Sequence, residues 1–144
     1  MTLKNKIAII DDEEFYLDLW KDNLSSDADV HLFECFDNFF HSYSKDINFF
    51  DIIIVDMLFF TERGNFNMLD IDYSSSLRAI GFNGKLILNS QVDPGILNLE
   101  NYHCYDLFLK KNDDYKLSDL RKKLEKNSVN WRKRIDILTP CVFI

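Results

Sequence analysis

Four apolar runs in this chain end at residues whose side chains can bind a cation or carry charge in a reaction. Asp11 and Asp12 follow IAII, Asp56 closes DIIIVD, Ser90 follows KLILN, and Lys111 follows LFLK. Carboxylates crowded at one point repel one another unless a cation or the positive end of a helix takes up their charge. Carboxylate oxygens are also the ligands that Mg2+ prefers. A cation site therefore forms at these residues if the fold brings them together.

The order of the apolar runs predicts an α/β protein. Five runs have the length of strands and cover residues 7–10, 31–36, 52–55, 86–88 and 107–109. The central runs are continuous rather than alternating, which is typical of parallel strands buried on both faces. Helical spacing predicts helices over residues 15–24, 37–43, 68–80, 96–102 and 114–126, with Phe15, Leu19, Trp20 and Leu24 marking the first. Right-handed crossovers then give a five-stranded parallel sheet with helices on both faces.

This fold predicts where the polar residues meet. The carboxyl ends of parallel strands share one edge of the sheet, and ligands bind there near the switch point of strand order. Each residue alone has an ordinary structural explanation, since acids suit the first turn of a helix and Asp commonly forms turns. Turn formation alone gives no reason for Asp-Asp, Asp, Ser and Lys to fall at the ends of the first, third, fourth and fifth strands. We therefore expect one site.

The same order of residues resembles the receiver domain of response regulators in two-component signalling. The resemblance covers about residues 4–127 and implies a flavodoxin-like (βα)5 fold. It also implies transfer of a phosphoryl group from a phosphohistidine to one aspartate, with Mg2+ as cofactor. By position, Asp56 matches the phosphoacceptor, and Asp11 and Asp12 match the acidic pair that holds the metal. Asp56 itself and the backbone carbonyl of Leu58 complete the implied metal ligands.

The remaining positions that match are implied to recognise the phosphoryl group and report its presence. Ser90 matches the hydroxyl that binds a phosphoryl oxygen, and Lys111 matches the lysine that pairs with the phosphate. Phe108, three residues before Lys111, matches the aromatic switch residue. The resemblance implies that Ser90 moves toward the phosphoryl group and that Phe108 turns into the vacated space. The expected output is a remodelled surface, with only self-phosphorylation and autodephosphorylation as chemistry.

Departures from the receiver pattern keep two other functions open. Phe60 and Asn112 stand where prolines are usual, and the segment 64–78 is longer than usual. A degenerate receiver that acts only as a protein-interaction module would tolerate these changes. A Mg2+-dependent phosphohydrolase with an aspartyl nucleophile also uses carboxylates at strand ends. Its usual D-x-D spacing is absent, because Asp11 and Asp12 are adjacent.

Composition limits the setting in which the chain works. Its 144 residues suit one domain, with three cysteines, too few for a disulfide scaffold, and no apolar stretch long enough to span a membrane. A cytoplasmic location is expected. We expect the receiver domain to occupy residues 1–127 and a tail without an effector domain to occupy residues 128–144.

Charge is distributed unevenly along the chain. The net charge is -7, yet residues 116–134 contain eight basic and two acidic residues, which leaves nine basic and 22 acidic residues elsewhere. The overall acidity makes nucleic acid an unexpected partner. Membrane attachment is expected only if Cys141, in the C-terminal sequence CVFI, is lipidated. The implied partners are a histidine kinase or histidine phosphotransfer protein, and a downstream protein at the face of the fourth helix, fifth strand and fifth helix. A homodimer is an open alternative.

Overall fold

A parallel sheet of five strands forms the centre of the computed structural model, which describes residues 4–56, 58–60, 66–68, 73–90, 104–111 and 115–135. The strands in chain order are β1 (Asn5–Ile10), β2 (Ala28–Phe33), β3 (Ile52–Asp56), β4 (Leu58–Phe60), β5 (Phe66–Met68), β6 (Lys85–Ser90) and β7 (Leu107–Lys110). The sheet order is β2-β1-β3-β6-β7, and all its pairs are parallel. The expected five-stranded parallel sheet is confirmed.

Helices cover both faces of this sheet, as expected. They are α1 (Glu14–Leu24), α2 (Phe36–Tyr43), α3 (Tyr73–Ala79) and α4 (Leu117–Ile135), with a 3-10 turn at Ile47–Phe49. One face packs against α2 and α3 through Phe36, Phe39 and Leu77. The other face packs against α1 and α4 through Leu17, Trp20, Leu24, Leu117, Leu120 and Leu124. The central strands are apolar on both sides because each side is buried, which explains their continuous runs.

The second strand and second helix begin earlier than the sequence predicts. The strand covers Ala28–Phe33 rather than 31–36, and α2 starts at Phe36. Phe36 continues the apolar run, but its side chain is buried from the first turn of the helix. The prediction of residues 34–36 as strand was therefore wrong.

The third helix is shorter than predicted, and an unpredicted hairpin precedes it. Met68 pairs with Leu58 in the antiparallel hairpin of β4 and β5, whereas α3 begins at Tyr73. The helical spacing after residue 68 therefore misassigned the strand residue. The predicted helix over residues 96–102 lies outside the described residues.

The last helix extends well beyond its predicted end. It continues from Leu117 to Ile135, beyond Leu124, the last leucine of the predicted stripe. Glu, Lys and Arg, which have good helix propensity, make up five of the eleven residues in this extension. Residue 127, the expected end of the receiver domain, falls within α4. The domain boundary itself stays a prediction.

The first helix buries a different stripe from the one predicted. Tyr16, Leu17, Trp20 and Leu24 are its buried residues, whereas Phe15 is 68% exposed. Tyr16, Trp20 and Leu24 are spaced by four residues and lie on one side of the helix. Phe15 falls outside that stripe, so its predicted place in the core was wrong.

Candidate functional site

The expected site residues lie at the carboxyl end of the central sheet. Asp11 follows β1, Asp56 is the last residue of β3, Ser90 is the last residue of β6, and Lys111 follows β7. These four strands are consecutive neighbours in the sheet, so their ends lie side by side. The apolar runs end where the strands reach this edge of the sheet, and the polar residues that follow are still buried.

Lys111 joins two of the acids in a buried ion-pair cluster. Its Nζ lies 2.7 Å from Oδ2 of Asp11 and 3.1 Å from Oδ2 of Asp56. Lys111 is 3% exposed, Asp11 is 1% exposed and Asp56 is 2% exposed. Water screens such a cluster very little, so each charge acts strongly on the others. The structure thus brings the two carboxylates and the amine together.

Backbone contacts fix the position of each end of this cluster. The backbone N–H of Asp11 donates to the carbonyl of Phe33 at 3.0 Å, which extends the pairing of β1 with β2 by one residue. Oδ1 of Asp11 accepts a hydrogen bond from the N–H of Glu13 at 2.9 Å, at the start of α1. The N–H of Lys111 donates to the carbonyl of Ser90 at 2.7 Å. Both side chains therefore start from backbone that is held by hydrogen bonds.

Tyr16 is a member of the site that sequence reasoning missed. The Nζ of Lys111 lies 4.1 Å from the centre of the Tyr16 ring, a distance at which the ring face attracts a cation. Tyr16 belongs to the buried stripe of α1, directly after the acidic residues. Its spacing of four residues from Trp20, and of eight from Leu24, was the signal that could have placed it inward.

Burial and the neighbouring charges shift the pKa values of two members of the cluster. Burial raises the pKa of Asp11 above its ordinary value, and the contacts with Lys111 and Glu13 only partly oppose that effect. For Lys111, burial alone would lower the pKa, but Asp56 and Asp11 together raise it above its ordinary value. One ammonium therefore stays charged beside two buried carboxyl groups, an excess of acidic groups over basic ones.

A third acid at the same place increases this excess. The carboxylates of Asp11, Asp12 and Asp56 each offer an oxygen, and these oxygens lie within 4.8 Å of one another. Asp12 is exposed, so the cluster opens to solvent on that side. Three hard oxygen donors with one accessible side fit a Mg2+ ion that keeps part of its water shell.

The remaining expected residues lie on β4, β6 and β7. Ser90 is 2% exposed. Phe108 in β7 is half-buried against the core on the α2 and α3 side, with its ring centre 6.0 Å from that of Tyr105. Leu58 opens the hairpin strand β4, two residues after Asp56. Their functional roles remain predictions.

Comparison with known proteins identifies the fold. No protein-family model and no curated protein matches the chain. Among solved structures, the chain is similar to a response regulator receiver domain protein from Clostridium thermocellum, with 20% identity and a TM-score of 0.63 over 91% of this chain and 98% of that one. A response regulator from Thermotoga maritima shares 15% identity with a TM-score of 0.63, over 87% of this chain and 98% of that one.

A protein with a different name also has a similar structure. It is an adenylate cyclase from Rhodopirellula baltica, with 20% identity and a TM-score of 0.59 over 93% of this chain and 94% of that one. Identities this low establish the fold and leave function to the site. Within the described residues, no helix is both long enough and apolar enough to cross a membrane.

Proposed function

We propose that this chain, which has the fold of response-regulator receiver domains, is a phosphorylation-controlled signalling module whose phosphoacceptor is Asp56. The observation that carries the proposal is the buried cluster in which Lys111 forms ion pairs with both Asp11 and Asp56. A simple structural ion pair needs one carboxylate for each ammonium. Here a second buried carboxylate and the nearby Asp12 leave negative charge that a divalent cation would balance.

The reaction proposed for Asp56 is a phosphoryl transfer. One of its carboxylate oxygens attacks the phosphorus of a phosphohistidine, the nitrogen–phosphorus bond breaks, and an aspartyl phosphate forms while the histidine nitrogen takes the electron pair. Lys111 already lies 3.1 Å from Asp56, so its ammonium is in place to offset charge on the phosphoryl oxygens. The ion pair with Asp11 and the contact with the ring of Tyr16 orient that ammonium without further rearrangement.

The metal proposed for this site is Mg2+. Asp11, Asp12 and Asp56, with the backbone carbonyl of Leu58, would hold it. When bound, it supplies positive charge next to the phosphoryl oxygens. Asp12 is the exposed member of the set and leaves the metal position open to solvent.

Ser90 and Phe108 are the proposed reporters of phosphorylation. The aspartyl phosphate adds charge and acceptor oxygens beside the end of β6, where Ser90 can donate a hydrogen bond. Phe108 of β7 is the register partner of Leu88 in β6, two residues before Ser90 at the site edge of the sheet. It is half-buried, so it has space to change its packing. A downstream protein would read the altered face made by β7, α4 and the helix that the sequence predicts over residues 96–102, which lie outside the described residues.

The proposed setting is a two-component or phosphorelay system in the cytoplasm. A histidine kinase or histidine phosphotransfer protein would supply the phosphoryl group. The chain would act as a signalling module rather than as an enzyme with a separate substrate. Lipidation of Cys141, which lies outside the described residues, would move it to a membrane.

The test is incubation of the full chain with acetyl phosphate and Mg2+, followed by intact mass spectrometry. The proposal expects one added phosphoryl group, lost in Asp56→Asn and in EDTA. Asp51→Asn is a matched control, since Asp51 is an exposed acid that directly precedes β3, at the end away from Asp56. Incorporation should persist in that variant.

Two other results would identify the alternative functions. Rapid turnover of several phosphoesters without stable incorporation would indicate a phosphohydrolase. No incorporation at any concentration of phosphodonor, in protein that is folded, would indicate a module that works only by binding.

A further inference from the structure

Two of the three cysteines differ in their covalent state. Cys104 is one half of a disulfide, whereas Cys35 carries a free thiol. The third cysteine of the chain is Cys141, in the tail that follows α4. The disulfide of Cys104 needs a partner, and the positions of the cysteines in the fold indicate which one it is.

Cys104 lies at the edge of the sheet where the five parallel strands begin, which we call the amino edge. It precedes β7 by three residues and is 6% exposed. Arg78 donates to the carbonyl of Cys104 at 3.3 Å and to that of Gly84, directly before β6, at 2.8 Å. The Sγ of Cys104 lies 4.0 Å from Oγ of Ser75 in α3. These contacts fix the sulfur at the amino edge, away from the acidic cluster.

Cys35 is too far from this sulfur to be its partner. It follows the end of β2 and directly precedes α2, so it lies at the edge of the sheet where the acidic cluster is. A strand of six residues such as β2 is about 20 Å long. The two Cα atoms that a disulfide joins are only about 4.4–6.8 Å apart. The free thiol of Cys35 agrees with this separation.

The length and direction of α4 bring the tail within reach of Cys104. The helix begins soon after Lys111 at the site edge and packs on the sheet through Leu124, so it runs back toward the amino edge. It continues for about 16 Å beyond Leu124 and ends at Ile135. Six further residues lead to Cys141 and span up to about 20 Å when extended. That length is enough for the tail to return to the amino edge.

We propose that Cys104 and Cys141 form a disulfide that fastens the C-terminal tail to the amino edge of the sheet. The bond closes residues 104–141 into a loop that contains β7 and α4. It also occupies the thiol of Cys141, so the disulfide and lipidation of that residue exclude one another. This inference does not depend on phosphorylation of Asp56.

The bond forms by exchange with a small disulfide such as oxidised glutathione. The thiolate of one cysteine attacks this oxidant and releases one reduced glutathione, and the second thiolate then attacks the mixed disulfide and releases the other. The two cysteines lose two electrons and two protons, which the two glutathione thiols take up. A reducing cytoplasm keeps such thiols reduced, so in the setting proposed above the bond forms when the glutathione pool becomes oxidised. The tail is then fastened in response to oxidation.

Mass spectrometry of the full chain tests the bond directly. After treatment with oxidised glutathione, the parent should lose the mass of two hydrogen atoms and yield one linked pair of peptides that contain Cys104 and Cys141. Cys35 should still react with N-ethylmaleimide, and dithiothreitol should reverse the link. Cys141→Ser should form no disulfide within the chain, whereas Cys35→Ser is the matched control and should form the same link as the parent.

Thermal unfolding measures the effect of the bond on the fold. A link between residues 104 and 141 restricts the unfolded chain, so the oxidised parent should melt about 5–10 °C above its reduced form. Cys35→Ser should keep this difference, and Cys141→Ser should lose it.

Several results would overturn the proposal. Three reactive thiols in the folded parent after oxidation would exclude the bond, as would a disulfide that involves Cys35 or joins two chains. A Cys141→Ser variant that keeps the rise in melting temperature would show that another change causes it. A lipid on Cys141 in protein recovered from its own host would assign this thiol to membrane attachment instead.

Discussion

Replacement of Lys111 by methionine tests the charge balance of the buried cluster. Methionine keeps most of the length and apolar volume of the lysine side chain but removes the ammonium. The variant then leaves the carboxylates of Asp11 and Asp56 buried at the end of the sheet without the cation that now lies 2.7 and 3.1 Å from them. The expected result is a large loss of stability in the absence of metal.

The magnitude follows from the burial and the distances. Unit charges about 3 Å apart attract by roughly 5 kcal/mol at an effective dielectric constant of about 20, and desolvation opposes part of this gain. Removal of one partner from a buried ion pair typically costs about 3–5 kcal/mol, because the other charge is left uncompensated. We expect Lys111→Met to lower the free energy of unfolding at pH 7 by that amount.

Urea unfolding in EDTA, followed by circular dichroism, measures the change. The matched control is Lys110→Met, since Lys110 is exposed and adjacent to Lys111. Its free energy of unfolding should stay within about 0.5 kcal/mol of the parent. Addition of Asp11→Asn to Lys111→Met should recover part of the loss, because it removes one of the two unbalanced carboxylates.

A small effect would refute this reasoning. If Lys111→Met lost less than about 1 kcal/mol at pH 7, the ammonium would not be balancing the buried acids. If Lys110→Met lost as much as Lys111→Met, the effect would belong to the strand and not to the cluster.

Three further predictions concern stability. Burial raises the pKa of Asp11, so the folded state binds a proton more tightly than the unfolded state does. The stability that this proton contributes is lost as pH rises from the ordinary pKa through the raised one. Asp11→Asn should flatten that decline in the free energy of unfolding, measured by urea titrations across pH. Oδ1 of buried Asn89 accepts no hydrogen bond within the described residues, so Asn89→Val should raise the free energy of unfolding by about 1 kcal/mol; a loss would show that the amide has a polar role. Arg78 donates to the carbonyls of Phe82 and Gly84, between α3 and β6, and to that of Cys104, before β7. It also pairs with Asp106 at 2.8 Å, so Arg78→Met should cost about 2–4 kcal/mol, whereas the exposed Arg121→Met should be nearly neutral in the same denaturation assay.

The sheet could be predicted because its strands are buried on both faces. Runs such as IIIV before Asp56 have no polar position until the sheet reaches its edge, so the end of the run and the end of the strand coincide. The meeting of Asp11 with Asp56 and Lys111 then follows from parallel topology alone. The pairing of Lys111 with both acids is a side-chain detail that the sequence pattern does not contain.

The errors arise where an apolar residue changes its element or its face. Phe36 continues the run of β2 but begins α2, and Met68 matches a helical spacing but pairs with Leu58 in a hairpin. Phe15 is aromatic and close to Tyr16, yet only Tyr16 lies on the buried side of α1. Hydrophobicity shows that a residue prefers burial, whereas its neighbours along the element decide which residue is buried.

The central claim is that Asp56 accepts the phosphoryl group. Borohydride reduction converts an aspartyl phosphate to homoserine, and peptide mass spectrometry then identifies the position that carried it. After incubation with Mg2+ and acetyl phosphate, the account predicts homoserine at position 56 and unmodified aspartate at positions 11 and 12. Homoserine at another position, or incorporation that persists in Asp56→Asn, would contradict it.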